Sequence, residues 1–464
     1  MTKETCFIFK SCSYEPERRA LYLDYAYGSG QCFTEAISFP GAKTKFSDEE
    51  QEALSKLAGA LHLAAGISYY KAFCPAEIII ENQKLSQPEA DFFYKFYLLG
   101  LGEFAATNDL DLRDVINFPV STAKAPAPSP LALCKMAVVP IGGGKDSLVS
   151  LEILKQEILK KTQREPGRVF RPIAINAGPP ILEVIAQTKS QSKSRAESAQ
   201  AILITRKIDP ELFKLNDMGA YNGHVPITGI LSFIMAFAAI LYGYDTVVMS
   251  NEQSANEGNM VRHGLSINHQ YSKSLEFELD FSHFIHDYIL RDFTYFSLLR
   301  PLSETGIAAL FARAPKYFQS FKSCNRNFHI AEGNRKYGWC CDCPKCRFVY
   351  LALAPFIGKQ GMIQIFGTDM LNDLKQADGY QELLGLMGHK PFECVGEIDE
   401  CRLLLKSLAL MPEWQDNSLI KKFGPLIDVP GLSLADLTAQ SLAKHAGHNL
   451  PDDYKRMLDD FIGS

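Results

Sequence analysis

No stretch of this 464-residue chain gathers lysine and arginine into a stripe: 48 basic side chains are scattered among 53 acidic ones, and the formal net charge is −5. The electrostatic footprint of a nucleic-acid binder is missing, and nucleic acid is not expected as a partner. No internal repeat or low-complexity tract stands out, and with 47% hydrophobic and 22% charged residues neither disorder nor a fibrous repeat is indicated. The opening residues, MTKETCFIFKSCSYEPERR, turn acidic and polar before the apolar core of a secretory signal can develop. A cytoplasmic location is therefore expected. One run, Val225 to Tyr244, passes 20 residues without a charge and on length alone could span a bilayer. It contains Pro226, Thr228, Gly229, Ser232 and Gly243, lacks basic flanks and leads directly into the strand-like TVVMS. A helix buried against a sheet is expected there, not a membrane span.

The chain is too long for one ordinary core, so several domains are expected. Residues 1–120 begin with short alternating runs (CFIFKSC, ALYLDYAY, CFTEAISF) and continue with helical stretches near 47–65 and 87–107, the pattern of an α+β module. STAKAPAPSP concentrates proline, alanine and serine and predicts a linker over 121–131. Strand-like and helix-like segments then alternate over 132–304, which predicts an α/β domain with a parallel sheet and helices on both faces. Residues 305–464 read as mainly helical.

Gly142, Gly143, Gly144, Lys145, Asp146 and Ser147 follow the strand Met136–Ile141 and open a helix. Glycines let the main chain approach an anion closely, and the free N–H groups of a helix start hold phosphate; a tight strand-to-helix turn is the plainer alternative. The loop is not a Walker motif, because Val139 occupies the first glycine position and Asp146 follows the lysine, and no third glycine completes a dinucleotide fingerprint. GGGKDS resembles the Ser-Gly-Gly-x-Asp-Ser loop of PP-loop ATP pyrophosphatases, departing at Gly142. The resemblance implies that ATP binds with its β- and γ-phosphates among residues 143–147, with Mg²⁺ between them, and that Lys145 offsets charge on the leaving pyrophosphate.

Three further clusters carry chemistry. Ser250, Asn251 and Glu252 begin a polar loop running to Asn259, suited to Mg²⁺ and ribose unless it is an ordinary solvated turn. His224, in Tyr221–Asn222–Gly223–His224, and His269, among His263, Asn268, Gln270, Tyr271, Ser272 and Lys273, are candidate proton-transfer groups, each alternatively a structural hydrogen-bonding histidine. Twelve cysteines include a knot in which Cys324, Cys340, Cys343 and Cys346 offer four thiolates at zinc spacing, with Cys341 able to replace Cys340. This knot resembles the four-cysteine zinc site of PP-loop enzymes that make a deazaguanine nitrile. Reduced cysteines packing a turn, or sulfur-transfer chemistry, are its other readings.

In this order, GGGKDS, NGHVPITGI, SNEQSANEGN, NHQYSKSLEFE and CDCPKCR resemble the bacterial UDP-N-acetylmuramoyl-L-alanyl-L-glutamate epimerases, over nearly the whole chain. That resemblance implies ATP-dependent inversion of the terminal L-glutamate of a UDP-muramyl dipeptide through an acyl-adenylate, releasing AMP and diphosphate during peptidoglycan precursor synthesis. The alternatives are another PP-loop enzyme, such as an amide or nitrile synthetase or a tRNA-thiolating enzyme, and a nucleotide-binding module without turnover.

Overall fold

Alternation at the amino terminus folds as strands β1 (Cys6–Glu15), β2 (Ala20–Tyr27) and β3 (Cys32–Ser38), a meander of antiparallel neighbours. Helix α1 (Asp48–Tyr70) follows, its start closed by a reciprocal cap in which Ser47 Oγ accepts from the Glu50 N–H and the Glu50 carboxylate accepts from the Ser47 N–H. Strand β4 (Glu77–Ile80) returns parallel to β1, and α2 (Gln87–Gly100) and α3 (Gly102–Thr107) complete this region. Residues 4–122, 124–160, 169–189, 200–258, 260–328, 338–388, 391, 393 and 395–464 are described in this computed structural model.

The expected strand and helix rhythm appears next, as β5 (Cys134–Pro140), α4 (Lys145–Lys160), β6 (Val169–Ile175), α5 (Pro179–Lys189), β7 (Ile202–Lys207), α6 (Glu211–Asp217), α7 (Ile227–Tyr242) and β8 (Tyr244–Met249). A short ribbon of β9 (Met260–Arg262) and β10 (Leu265–Ile267) leads to α8 (Leu275–Tyr288), β11 (Thr294–Ser297), α9 (Glu304–Ala312) and, beyond the cysteines, α10 (Pro344–Ile357). Further helices fill the chain to Ile462.

Among the described residues, nine strands form one sheet in the order β11-β8-β5-β6-β7-β3-β2-β1-β4. The five from β11 to β7 are parallel, and the amino-terminal meander joins them through an antiparallel β7–β3 pairing. The sheet therefore runs through the boundary expected at residue 120. The join is held by a buried ion pair, Arg206 Nε to Glu35 Oε1 at 2.7 Å and Nη2 to Oε2 at 3.0 Å. The proline-rich stretch is strapped to the surface, with Lys56 Nζ donating to Ala127 O at 2.7 Å and Ser129 N to Ile289 O at 2.8 Å.

Alternating side chains of the parallel strands enter two separate cores. Val138, Val247 and Tyr295 face a core shared with α1, α2, α7 and α8, whereas Val139, Val248 and Phe296 face one shared with α4, α5, α9 and α10. The carboxyl-terminal helices thus contribute to the core on the face opposite the amino-terminal ones. The uncharged run from Val225 is α7, whose buried residues extend from Gly229 to Leu241 and which ends at Gly243 with φ of 73°. Among the described residues, no helix is long and apolar enough to cross a membrane.

Candidate active site

The chain leaves β5 toward β6 on one side and returns on the other as β8, so the carboxyl ends of β5 and β8 flank the point where strand order reverses. Open α/β sheets bind ligands in that crevice. Gly142–Gly144 lie there, directly before α4. Gly143 takes φ of +84°, and its carbonyl accepts from the Lys322 N–H at 2.8 Å. A Cβ on Gly144 would come 2.9 Å from Ser323 Oγ, whereas one on Gly142 would meet nothing within 4 Å. Gly142, where the sequence departs from the Ser-Gly-Gly-x-Asp-Ser pattern, therefore borders open space.

Lys145 lies at the start of α4 and is buried. Its side chain is 2% exposed and turns inward, with Nζ 2.5 Å from Asp146 Oδ1 and in contact with Glu304 Oε2. It neutralises carboxylates at the loop. Burial opposes ionisation of Asp146, yet Lys145, Lys345 and Lys273 outweigh it and hold the carboxyl below the usual range. Glu304 moves the other way, chiefly through burial, with Asp146 and Glu252 adding to the rise.

The segment from Ser250 to Glu252 is built into the protein and is not a solvated turn. Asn251 and Glu252 are buried, Ser250 Oγ donates to Ser150 Oγ at 2.7 Å, and Asn251 Nδ2 donates to Ser297 Oγ at 3.0 Å. Arg300, fully buried, clamps two loops together: it donates to Glu252 O at 2.6 Å and to Lys273 O at 2.5 Å, with Glu278 Oε2 as its counter-ion at 3.0 Å. Asn259 lies outside the described residues.

His224 and His269 are brought together, with ring centroids 4.6 Å apart. Each directs Nδ1 at Glu103 Oε2 on α3, His269 in direct contact and His224 at 3.6 Å. Gly223 makes this possible, because with φ of +154° it lies where a Cβ would be 3.1 Å from Phe104, the neighbour of Glu103. Lys71, 5% exposed, donates to Asn222 Oδ1 at 3.0 Å and pins the same turn; burial brings its ammonium down to about 8. Asn268 fixes the other histidine loop, donating to Ala255 O at 2.8 Å and accepting from the Gln270 N–H at 2.7 Å. Burial, then the neighbouring His269, pull His224 down to about 4, so it is neutral near pH 7. Lys273 links the clusters, since its charge acts on both Asp146 and His224. His263 is exposed on the β9–β10 turn, with its carbonyl accepting from Arg113.

Cys324, Cys340, Cys343 and Cys346 converge, their sulfurs all within 4.8 Å of one another. Sulfurs around a tetrahedral zinc at about 2.3 Å stand about 3.8 Å apart, and the Cys324–Cys343 and Cys340–Cys346 separations are 4.0 and 3.7 Å. The donor set fits such an ion. Cys341 does not substitute for Cys340: its Sγ turns toward Phe366 O at 3.4 Å. The knot also places Lys345, whose charge acts on Asp146, Glu304 and Glu393.

Comparison with known proteins decides the family. The MurL N-terminal domain model matches residues 1–298 and the MurL C-terminal domain model residues 320–433. This chain belongs to the MurL family. It is 40% identical to the UDP-N-acetyl-alpha-D-muramoyl-L-alanyl-L-glutamate epimerase of Xanthomonas oryzae pv. oryzae (strain MAFF 311018), over 96% of this chain and 95% of the relative. It is 36% identical to the epimerases of the same name from Micromonospora sp. (strain ATCC 39149 / NRRL 15099 / SCC 1413), over 97% of each chain, and Salinispora tropica, over 89% of this chain and 87% of the relative. No solved structure matches. Glu103, Glu304, Arg300 and Lys345 are residues of the candidate site that spacing did not single out. Lone charged residues in helical or loop context carry no local signal, and only the fold gathers them.

Proposed function

We propose that this enzyme inverts the terminal L-glutamate of UDP-N-acetylmuramoyl-L-alanyl-L-glutamate, using ATP to adenylate the α-carboxylate and releasing AMP and diphosphate. The observation that carries the reading is the placement of the glycine loop at the switch point, with Lys273 linking it to a pair of neutralisable imidazoles. Removing a proton beside a carboxylate creates adjoining negative charges; in an acyl-adenylate that carboxylate is neutralised and the carbanion delocalises into the carbonyl. Because alanine already acylates the glutamate nitrogen, the activated carbonyl could also close to an oxazolone with a still more acidic α-proton. A modest base then suffices, and His224 or His269 would fill that role.

Gly142, Gly143, Gly144 and Ser147 would border the phosphates, and Asp146, Ser250, Asn251 and Glu252 would face Mg²⁺ and ribose. Mg²⁺ supplies charge neutralisation on the phosphates. The four cysteines would hold a structural zinc that fixes Lys345 and residues 322–324 against the loop. The test is the reaction in heavy water with ATP, Mg²⁺ and unlabelled L-substrate, and separately with oxygen-18 in the α-carboxylate. Deuterium at Cα of the D-product and oxygen-18 in AMP are both expected. Exchange proceeding equally well without ATP would overturn activation, even if the product is inverted.

A further inference from the structure

We infer that the Ser323 hydroxyl belongs to the nucleotide site, where it donates to the β- or γ-phosphate of ATP in place of the serine that the glycine loop lacks at Gly142. This rests on the reading above that ATP binds at the loop, and adds to it a residue from outside the 142–147 motif.

The loop itself is short of hydroxyl donors. Position 142 carries no side chain, and Ser147 Oγ donates to Gly144 O at 3.3 Å, back into the loop. Lys145 Nζ is held between Asp146 and Glu304. Main-chain N–H groups at a helix start can hold phosphate. A side-chain donor to an ionised phosphate adds a charge-assisted hydrogen bond, roughly twice as strong as a neutral one.

Ser323 brings such a donor from far along the chain. The Lys322 N–H donates to Gly143 O at 2.8 Å, which bonds this segment to the loop. Ser323 Oγ lies 2.9 Å from where a Gly144 Cβ would stand, a closeness that the missing side chain at 144 allows. On its other flank Cys324 is fully buried in the four-sulfur cluster, and the Cys324 carbonyl accepts from the Asn327 N–H at 3.0 Å. Ser323 is thus fixed on both sides. Its half-buried hydroxyl has no hydrogen-bond partner among the described residues. The adjacent Lys322 ammonium is engaged elsewhere, donating to Gln319 O at 2.7 Å and lying 6.0 Å from the centre of the Trp339 ring. A bonded backbone with an unbonded hydroxyl, set against the middle of the glycine loop, is the arrangement that a phosphate contact requires.

Gly142 supplies the decisive control. Its φ lies outside the left-handed region and a Cβ there meets nothing within 4 Å, so Gly142→Ser can return a hydroxyl to the loop without displacing a neighbour. The test is calorimetric affinity for ATP with Mg²⁺, and separately for AMP, with the acid substrate left out. Ser323→Ala should weaken ATP binding about tenfold, the loss expected for one hydrogen bond to a charged group, and leave AMP, which lacks the outer phosphates, unchanged. Gly142→Ser combined with Ser323→Ala should regain most of the ATP affinity. If Ser323→Ala also lowers the melting temperature, the double variant still decides, because affinity regained without the melting temperature separates a phosphate contact from packing. Wild-type ATP affinity in Ser323→Ala, an equal loss for AMP, or no recovery in the double variant overturns the inference. No ATP binding by the wild type would instead overturn the underlying reading, and this inference with it.

Discussion

At the scale of single residues, charge compensation decides what each carboxylate in the crevice can do. Asp146 is held ionised by three lysines while Glu304, deeper, is pushed toward its neutral form. Asp146→Asn should therefore slow ATP cleavage at least about tenfold, equivalent to about 1.4 kcal/mol of transition-state stabilisation, while the melting temperature stays near that of the wild type. AMP release and calorimetry on the same preparation check it. Away from the site, His62 has 0% exposure and burial brings it down to about 4. Its folded pKa lies below the unfolded value of about 6.5, so the unfolded chain binds the extra proton. Stability from this group is fully present above about pH 6.5 and is lost as pH falls toward 4, by roughly 3 kcal/mol. Urea titrations from pH 7 to 4 should show that slope, and His62→Gln should flatten it. The glycine loop and the cysteine knot could be read from the sequence because their residues lie within a few positions of each other. Glu103 could not: it is one of many acidic residues, and only packing of α3 beside Gly223 joins it to the two histidines.

At the scale of elements, the uncharged run at 225–244 was readable as a sheet-covering helix because glycine and proline punctuate it and strand residues follow at once. The pairing of β3 with β7 had no such signal, since an antiparallel edge is specified by a partner far away in the chain. Burial explains how that pairing is held. Arg206 and Glu35 are 3% and 0% exposed, so Glu35→Ala would strand a guanidinium in the core and should cost roughly 3–5 kcal/mol, measurable by chemical denaturation. Cys343 caps α10 by accepting from the Cys346 N–H and belongs to the four-sulfur cluster. About one zinc per chain is expected, and Cys343→Ser should lose metal and melting temperature together. Metal analysis of the purified protein checks the first; a metal-free chain that melts unchanged would leave the thiols as packing groups.

At the scale of the whole molecule, one sheet separates two apolar cores, and the stretch at 121–131 does not divide the chain into independent bodies. A fragment of residues 1–298 would retain the parallel strands but uncover Val139, Val248 and Phe296 on the face that the later helices help to cover. It should bind a hydrophobic dye and aggregate where the full chain does not. The same continuity governs the order of events during synthesis. The first strands leave the ribosome early, yet Glu35 meets Arg206 171 positions later, and α1 must wait for α7. Until then β3 presents an open edge to any neighbouring nascent chain. Translation speed through the segment between β3 and α7 thus becomes a determinant of yield, and slowing it should favour strand exchange between chains over native closure.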